Sequence, residues 1–315
     1  MSELAKIEYS LVTHIGKVRK NHEDNYYTCD GEFISVSHQK DIGNGISEIR
    51  LNKTIELDPA NPTVFAVADG MGGHKAGEVA SNLVVTMLDK CSKQASKKQN
   101  KESFLQLFKD VVLLINRVIA DRSSSKAELR GMGSTLAMML FEKGKAVSVN
   151  VGDSRTYLYE NGTLKQLSRD HTFGQQLRDL GMDEADDPEI NRHRKALMRY
   201  MGMECDITES IAEITQPIVI NENQIYMLCS DGLTDEVSDE SISEIFKTSN
   251  NLNDVESKLL EAALNGSEGK VGGIDNITVL LIRFSGERQK EKTGTNDKSK
   301  TFFSRLFGKN RGEKK

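Results

Sequence analysis

Residues Val64-Phe-Ala-Val-Ala-Asp-Gly-Met-Gly-Gly-His-Lys-Ala-Gly77 read as an apolar strand that stops at Asp69-Gly70, then a glycine corner, then a helix whose apolar positions Ala80, Leu83, Val84, Met87 and Leu88 recur at helical spacing. A carboxylate at the end of a buried strand, beside glycines that let backbone oxygens approach, suits a hard cation. Two nucleotide loops fail here. A dinucleotide fingerprint from Gly70 needs glycine where Lys75 stands, and a Walker-type loop from Gly72 reaches Gly77 but then meets Glu78 instead of lysine. The plainer alternative is a turn in which Asp69 caps the next helix. Recurrence of acids in similar settings decides between them.

The 315 residues are 37% hydrophobic and 28% charged, the composition of a globular protein with a sizeable core. The N-terminal residues do not resemble a signal peptide and no apolar run approaches the ~20 residues that span a bilayer, so a cytoplasmic protein is expected. Cys29, Cys91, Cys205 and Cys229 are far apart, without metal-binding spacing, and read as buried reduced thiols. Of the net charge of −5, residues 286–315 contribute +6, with ten Lys/Arg against four Asp/Glu, which leaves −11 on the remainder. Such a body repels nucleic acid and attracts divalent cations.

Along the chain, Ile7, Tyr9 and Leu11 alternate as in a half-buried strand, and Arg19 to Asn25 is a polar heptapeptide whose bland reading is a solvated loop. A polar linker over Lys90 to Lys101 separates the first helix from a second, which starts at Ser103 with capping-box spacing to Gln106. Strands Leu136 to Leu140, Val147 to Val151, Tyr157 to Tyr159 and Thr163 to Leu167, with turns at Lys143-Gly144 and Asn161-Gly162, predict consecutive hairpins of one antiparallel sheet. Asp170 to Asp206 is polar, with helical signals at Phe173, Leu177 and Leu180 and at Leu197, Met198 and Met201. It reads as a small subdomain. A strand from Gln224 to Cys229, two amphipathic helices and a last strand from Ile277 to Phe284 follow.

Asp69, Asp153 and Asp231 each stand where an apolar strand stops, and Asp275 where one begins. Strand ends lie on one rim of a packed sheet, so these four acids are expected to meet. Clustered carboxylates repel and raise one another's pKa, and an all-oxygen ligand set without His or Cys favours Mg²⁺ or Mn²⁺ over zinc.

With Arg19-x-x-x-Glu23-Asp24-Asn25, Asp69-Gly-Met-Gly-Gly73, Gly133-Ser-Thr135, Val151-Gly-Asp-Ser-Arg155, Asp170-His171, Ser230-Asp-Gly232 and Asp275-Asn-Ile-Thr278 in order, the chain resembles the metal-dependent Ser/Thr protein phosphatases of the 2C type (PPM), bacterial branch. The likeness runs from about Ile7 to Phe284. It implies an α+β fold, a four-layer α/β/β/α sandwich of two antiparallel sheets flanked by helices. The phosphatase domain would cover 1–285, with a flap subdomain at about 170–206. It also implies two Mn²⁺ or Mg²⁺ ions per subunit: Asp69 would bridge both, Asp231 and Asp275 would hold the first, and Glu23 with the Gly70 carbonyl the second. Asp153, with Asp231, would support a third, weaker site. Arg19 would grip the substrate phosphate, its planar fork matching two oxygens.

The activity implied is hydrolysis of phosphoserine and phosphothreonine in proteins by a monomer that opposes a bacterial Ser/Thr kinase. Two rival readings share these residues: an inactive relative that binds phosphoproteins as a regulatory module, and a phosphatase dedicated to one anti-sigma-type switch protein. One departure is Met71, where some relatives carry a histidine proposed as general acid. His74 and His171 are the nearby alternatives, although a lone histidine is more often structural. In the tail 286–315, expected to be disordered, Phe302, Phe303, Leu306 and Phe307 lie among Lys300, Arg305, Lys309 and Arg311. This piece (300–311) suits an anionic membrane surface or a partner, and a solubilising tail is the plainer reading.

Overall fold

The computed structural model describes residues 5–35, 38, 42, 46–57, 62–72, 76–95, 104–182, 188–204, 211–266 and 271–285. All of them fall within one compact unit, Leu4–Gly286. The basic tail, His74, Lys75, Cys205 and the Ser103 cap lie outside the described residues, as do 96–101 of the expected linker.

The central quoted strand is β4 (Thr63–Met71), and its alternation explains its unbroken apolar run. Val64, Ala66 and Ala68 face one way, onto helices α1 (Ala76–Ala95) and α2 (Phe104–Ser125), while Phe65 and Val67 face the other sheet. A strand buried on both faces needs apolar residues at every position. β4 pairs with β2 (Asp24–Tyr27) on one side and β6 (Leu136–Glu142) on the other. β6 continues to β7 (Lys145–Val151) and β10 (Glu213–Ile214); β5 (Gly133–Ser134) and β11 (Ile218–Val219) pair with β4 and β7.

The second sheet runs in the order β3 (Glu48–Leu57), β1 (Ala5–His14), β13 (Ile277–Ser285), β12 (Ile225–Cys229), β8 (Arg155–Glu160), β9 (Thr163–Gln166). Every pairing between named strands is antiparallel. Its outer face carries α6 (Asp239–Thr248) and α7 (Leu252–Asn265), packed by Ile242, Phe246, Val255 and Leu259 against Val12, Tyr157, Met227 and Leu281. Between the sheets Tyr9, Phe65, Phe141 and Tyr226 stack edge to face, with ring centres 5.1–6.2 Å apart. The expected four-layer α/β/β/α sandwich is therefore present.

Four details differ from expectation. The hairpins β6–β7 and β8–β9 belong to different sheets, because the chain crosses from one to the other at Gly152–Ser154, where Gly152 adopts φ +98. Strand β4 runs past Asp69-Gly70 to Met71, since Gly70 and Met71 find partners in Ser134 and Gly133. α1 continues through Lys90 to Ala95, into the stretch read as linker. Leu197 and Met201 are not helical: they bridge Thr172 and Ser134, and the helices of this segment are α3 (Phe173–Asp179) and α4 (Pro188–His193).

Phe65 is fully buried between the sheets, so Phe65→Ala is expected to cost about 3–5 kcal/mol in urea unfolding. Gly162→Ala, at φ +78 in the β8–β9 turn with open space around it, is expected to cost about 1 kcal/mol through backbone strain alone.

Candidate metal and phosphate site

The expected acids arise from five separate segments, and specific close contacts bring those segments together. Asp69, on β4, has Asp24 as its neighbour on β2. Its N–H donates to Thr135 Oγ1 (2.9 Å), its carbonyl accepts from Thr135 N–H (2.8 Å), and the same hydroxyl bonds Ser154 Oγ at 2.6 Å. Thr135 thereby ties Asp69 to the sheet crossing that carries Asp153. Asp231 opens the short helix α5 (Asp231–Thr234) directly after β12, and Asp275 immediately precedes Asn276 and β13.

Both Asp-Gly pairs need glycine for backbone approach. A Cβ on Gly232 would sit 2.0 Å from the Asn276 carbonyl oxygen, and one on Gly70 would sit 2.1 Å from the Gly77 oxygen and 2.8 Å from that of Glu23. Gly77 completes the corner: a Cβ there would lie 2.7 Å from both Glu23 Oε1 and the Gly70 oxygen, so these two oxygens border one small cradle.

The loop bearing Arg19 and Glu23 is held by Asn276. Its amide donates to the carbonyls of Ile15 (2.8 Å) and Asn21 (3.1 Å), and its Oδ1 accepts from Glu23 N–H at 2.7 Å. Arg19 Nη2 donates to Asp275 Oδ2 at 2.5 Å on the exposed rim. The guanidinium expected on phosphate is thus held at the mouth of the site by an expected metal ligand.

Burial dominates the electrostatics. It raises Asp69 well above the carboxylate range, and Asp24, Asp231, Asp275 and Asp153 raise it further. Asp153 is raised likewise by burial, then by Asp231, Asp170 and Asp235. Asp231 is pushed to about 7 by burial and then by Asp235, Asp275 and Asp24, with a hydrogen bond to Asp69 opposing. Glu23 reaches about 7 by burial, against the pull of Arg19. Asp24 also reaches about 7 by burial, although Ser230 and Thr278 hydroxyls both donate to its Oδ2 at 2.7 Å.

Among the described residues no three His, Cys, Asp or Glu side chains close to a spacing that would hold an ion by themselves. Asp69 and Asp231 share a hydrogen bond, and Asp275 turns to Arg19. The donors nevertheless suit hard cations. They are all oxygen, the buried Asp231 Oδ1 and Asp24 Oδ1 have no hydrogen-bond partner, and the Glu23–Gly70 cradle admits no side chain at Gly77.

Asp24 and Asn276 have no evident task on sequence grounds, although they stand within Arg19-x-x-x-Glu23-Asp24-Asn25 and Asp275-Asn-Ile-Thr278. Asp24 was masked by its charged neighbours, yet with Asn25 it begins a fully buried strand. His171 is buried, accepts from Gly152 N–H through Nδ1 (3.2 Å), and accepts Met198 N–H on its carbonyl (2.7 Å), so it braces the turn that carries Asp153. Beside it Arg155 clamps Asp170 through two parallel bonds, Nε to Oδ1 at 2.9 Å and Nη2 to Oδ2 at 2.6 Å. Cys29, Cys91 and Cys229 are free thiols, of which only Cys229 is fully buried.

Residues 54–265 match the Protein phosphatase 2C family. The chain is 31% identical over 247 residues to the serine/threonine phosphatase Stp of Listeria welshimeri, covering 78% of this chain and 91% of that one. The solved serine/threonine phosphatase PstP of Mycobacterium tuberculosis superposes with a TM-score of 0.65 at 31% identity, over 88% of this chain and 98% of that one. A solved catalytic domain of PstP in complex with two manganese ions gives 0.66 at 31% identity, over 90% and 100%. The chain belongs to the protein phosphatase 2C family, in its bacterial branch. It is a phosphoprotein phosphatase, a hydrolase of a metal-dependent family. No helix among the described residues is long and apolar enough to cross a membrane.

Between about pH 4 and 7 the carboxyls of Glu23, Asp24 and Asp231 hold protons in the folded chain that the unfolded chain has released. Their contribution to stability is therefore complete below the unfolded value near 4 and is lost as pH rises through about 7. His22, lowered to about 4 by burial, has the opposite sign, its contribution being lost as pH falls from about 6.5 towards 4. In chelator, the melting temperature followed by circular dichroism is expected to fall from about pH 6.5 to 8. Added Mn²⁺ should remove that fall. A rise over this window would contradict the assignment.

Proposed function

We propose that this protein is a cytoplasmic phosphoserine/phosphothreonine phosphatase that works at a binuclear Mn²⁺ or Mg²⁺ centre and opposes a Ser/Thr kinase. In this reading residues 1–285 form the catalytic domain and the segment at about 170–206 is its flap. The observation that carries it is the gathering of Glu23, Asp24, Asp69, Asp153, Asp231 and Asp275, five of them bearing raised or mutually raising carboxyls, around a glycine corner. A structural cluster would have no reason to sustain so much repulsion.

Asp69 would contact both ions, Asp231 and Asp275 the first, and Glu23 with the Gly70 carbonyl the second, while Asp153 with Asp231 would hold a weaker third. Two such ions, when bound, neutralise charge on phosphate oxygens and acidify a water for in-line attack. The protein's own part is placement. Arg19 offers a planar fork to the phosphate, and Asp275 with the Asn276-braced loop fixes where that fork stands. Asp24, bonded by Ser230 and Thr278, raises Asp69 more than any other carboxyl does.

His171 has its Nδ1 committed to the Gly152 amide and its pKa lowered by burial, which argues against a role as acid for the leaving alkoxide. The intact acid set argues against an inactive phosphoprotein-binding module.

Hydrolysis of p-nitrophenyl phosphate and of a phosphothreonine peptide is expected to vanish in chelator and to return with Mn²⁺. Asp69→Asn should lower kcat by about a thousandfold or more, the scale of losing a central charge-stabilising group. Arg19→Ala should act mainly on KM, and Arg19→Lys should not restore it. Near-normal turnover by the Asp69 variant would refute the mechanism.

A further inference from the structure

Two loops flank the Arg19–Asp275 pair and run side by side. Lys17 N–H donates to the Gly273 carbonyl at 2.6 Å, and two residues on in each loop Arg19 meets Asp275 at 2.5 Å. Between these two ties stand Val18 and Ile274, 61% and 50% exposed, with Val271 exposed beyond them. Single exposed aliphatics are ordinary. Here three of the nine large exposed hydrophobics among the described residues fall on two adjoining segments next to one guanidinium.

These loops are held in shape. Asn276 bonds the first loop at three points. Gly16 has no room for a side chain, its Cβ position lying 2.3 Å from the Asp275 carbonyl oxygen. Lys17 lays its stem over Gly273 and commits its ammonium to the Leu264 carbonyl at 2.5 Å. A braced surface that keeps hydrocarbon in water beside the phosphate-binding group is suited to a ligand that arrives with the phosphate.

We propose that Val18, Ile274 and Val271 form a docking strip for the phosphoprotein chain and select an aliphatic residue within one or two positions of the phosphorylated one. The proposal rests on the reading of Arg19 as phosphate ligand. The occupant follows from continuity: a peptide whose phosphate reaches Arg19 lays its neighbouring side chains, about 3.3 Å apart along an extended chain, across these loops. Specificity then comes from apolar burial, separately from the phosphate contacts that every substrate shares.

The test uses the full chain with Mn²⁺ and phosphothreonine peptides that carry Leu or Ser at each of the two positions on either side. Wild type is expected to show kcat/KM about fivefold to tenfold higher for Leu at one of them, the scale of partly burying one aliphatic side chain. In V18S/I274S that ratio should fall to within about twofold. The ratio is taken within one preparation, so a general loss of activity cancels. Equal rates in wild type, or a preference that survives in the variant, overturn the strip. A wild type without peptide preference that dimerises in sedimentation, with the dimer lost in V18S/I274S, overturns it in favour of a second copy of the chain. Wild-type hydrolysis of p-nitrophenyl phosphate alongside either result leaves the phosphatase reading intact, whereas its absence refutes both.

Discussion

Mutual repulsion among buried acids is the constraint around which this molecule is built. Asp69, Asp153 and Asp231 are pushed up first by loss of water and then by one another, so the segments that carry them would separate if nothing held them. What holds them is mostly backbone. Gly70 and Gly232 admit neighbouring carbonyls at distances that no side chain permits, and the Thr135 hydroxyl joins the Asp69 strand to the Asp153 turn. Asn276 fastens the Arg19–Glu23 loop to the strand that follows Asp275. These contacts are short and neutral, and therefore insensitive to salt, unlike the charges they oppose.

The sandwich serves the same end. Each acid sits within two residues of a strand end or at a crossing, and both sheets are covered on their outer faces by helices, so the rim is where polar groups meet solvent. The crossing at Gly152–Ser154 shows the economy of this arrangement: the residue that lets the chain leave one sheet for the other stands next to the acid that joins the cluster. His171 holds that turn through the Gly152 amide, and Arg155, which follows it, is clamped to Asp170.

Much of this was legible in the sequence because burial and alternation leave marks in residue type. The unbroken run Val64 to Ala68 announced a strand covered on both faces, and the recurrence of Asp-Gly after apolar strands announced a shared rim. Three things were hidden for physical reasons. Asp24 and Asn25 look like solvent residues because the groups that receive them in the interior, the Ser230 and Thr278 hydroxyls on Asp24 Oδ2 and the Ile34 carbonyl on the Asn25 amide, are not their sequence neighbours. The two hairpins look continuous because a one-residue change of φ at Gly152 has no hydrophobic signature. Leu197 and Met201 mimic helical spacing, but single bridges to Thr172 and Ser134 decide their conformation. The Arg19–Asp275 pair was invisible for another reason: each residue was assigned to a different ligand, and only the folded loops show that they share a rim.

The pairing of β1 with β13, inside the six-stranded sheet, places Lys6 opposite Ser285. Entry to and exit from the folded unit are thus neighbours on the same ladder, so the whole sandwich behaves as a cassette with both leads at one socket. A rearranged chain that links those leads and opens instead at the exposed Asn161-Gly162 tip would keep every strand pairing in place.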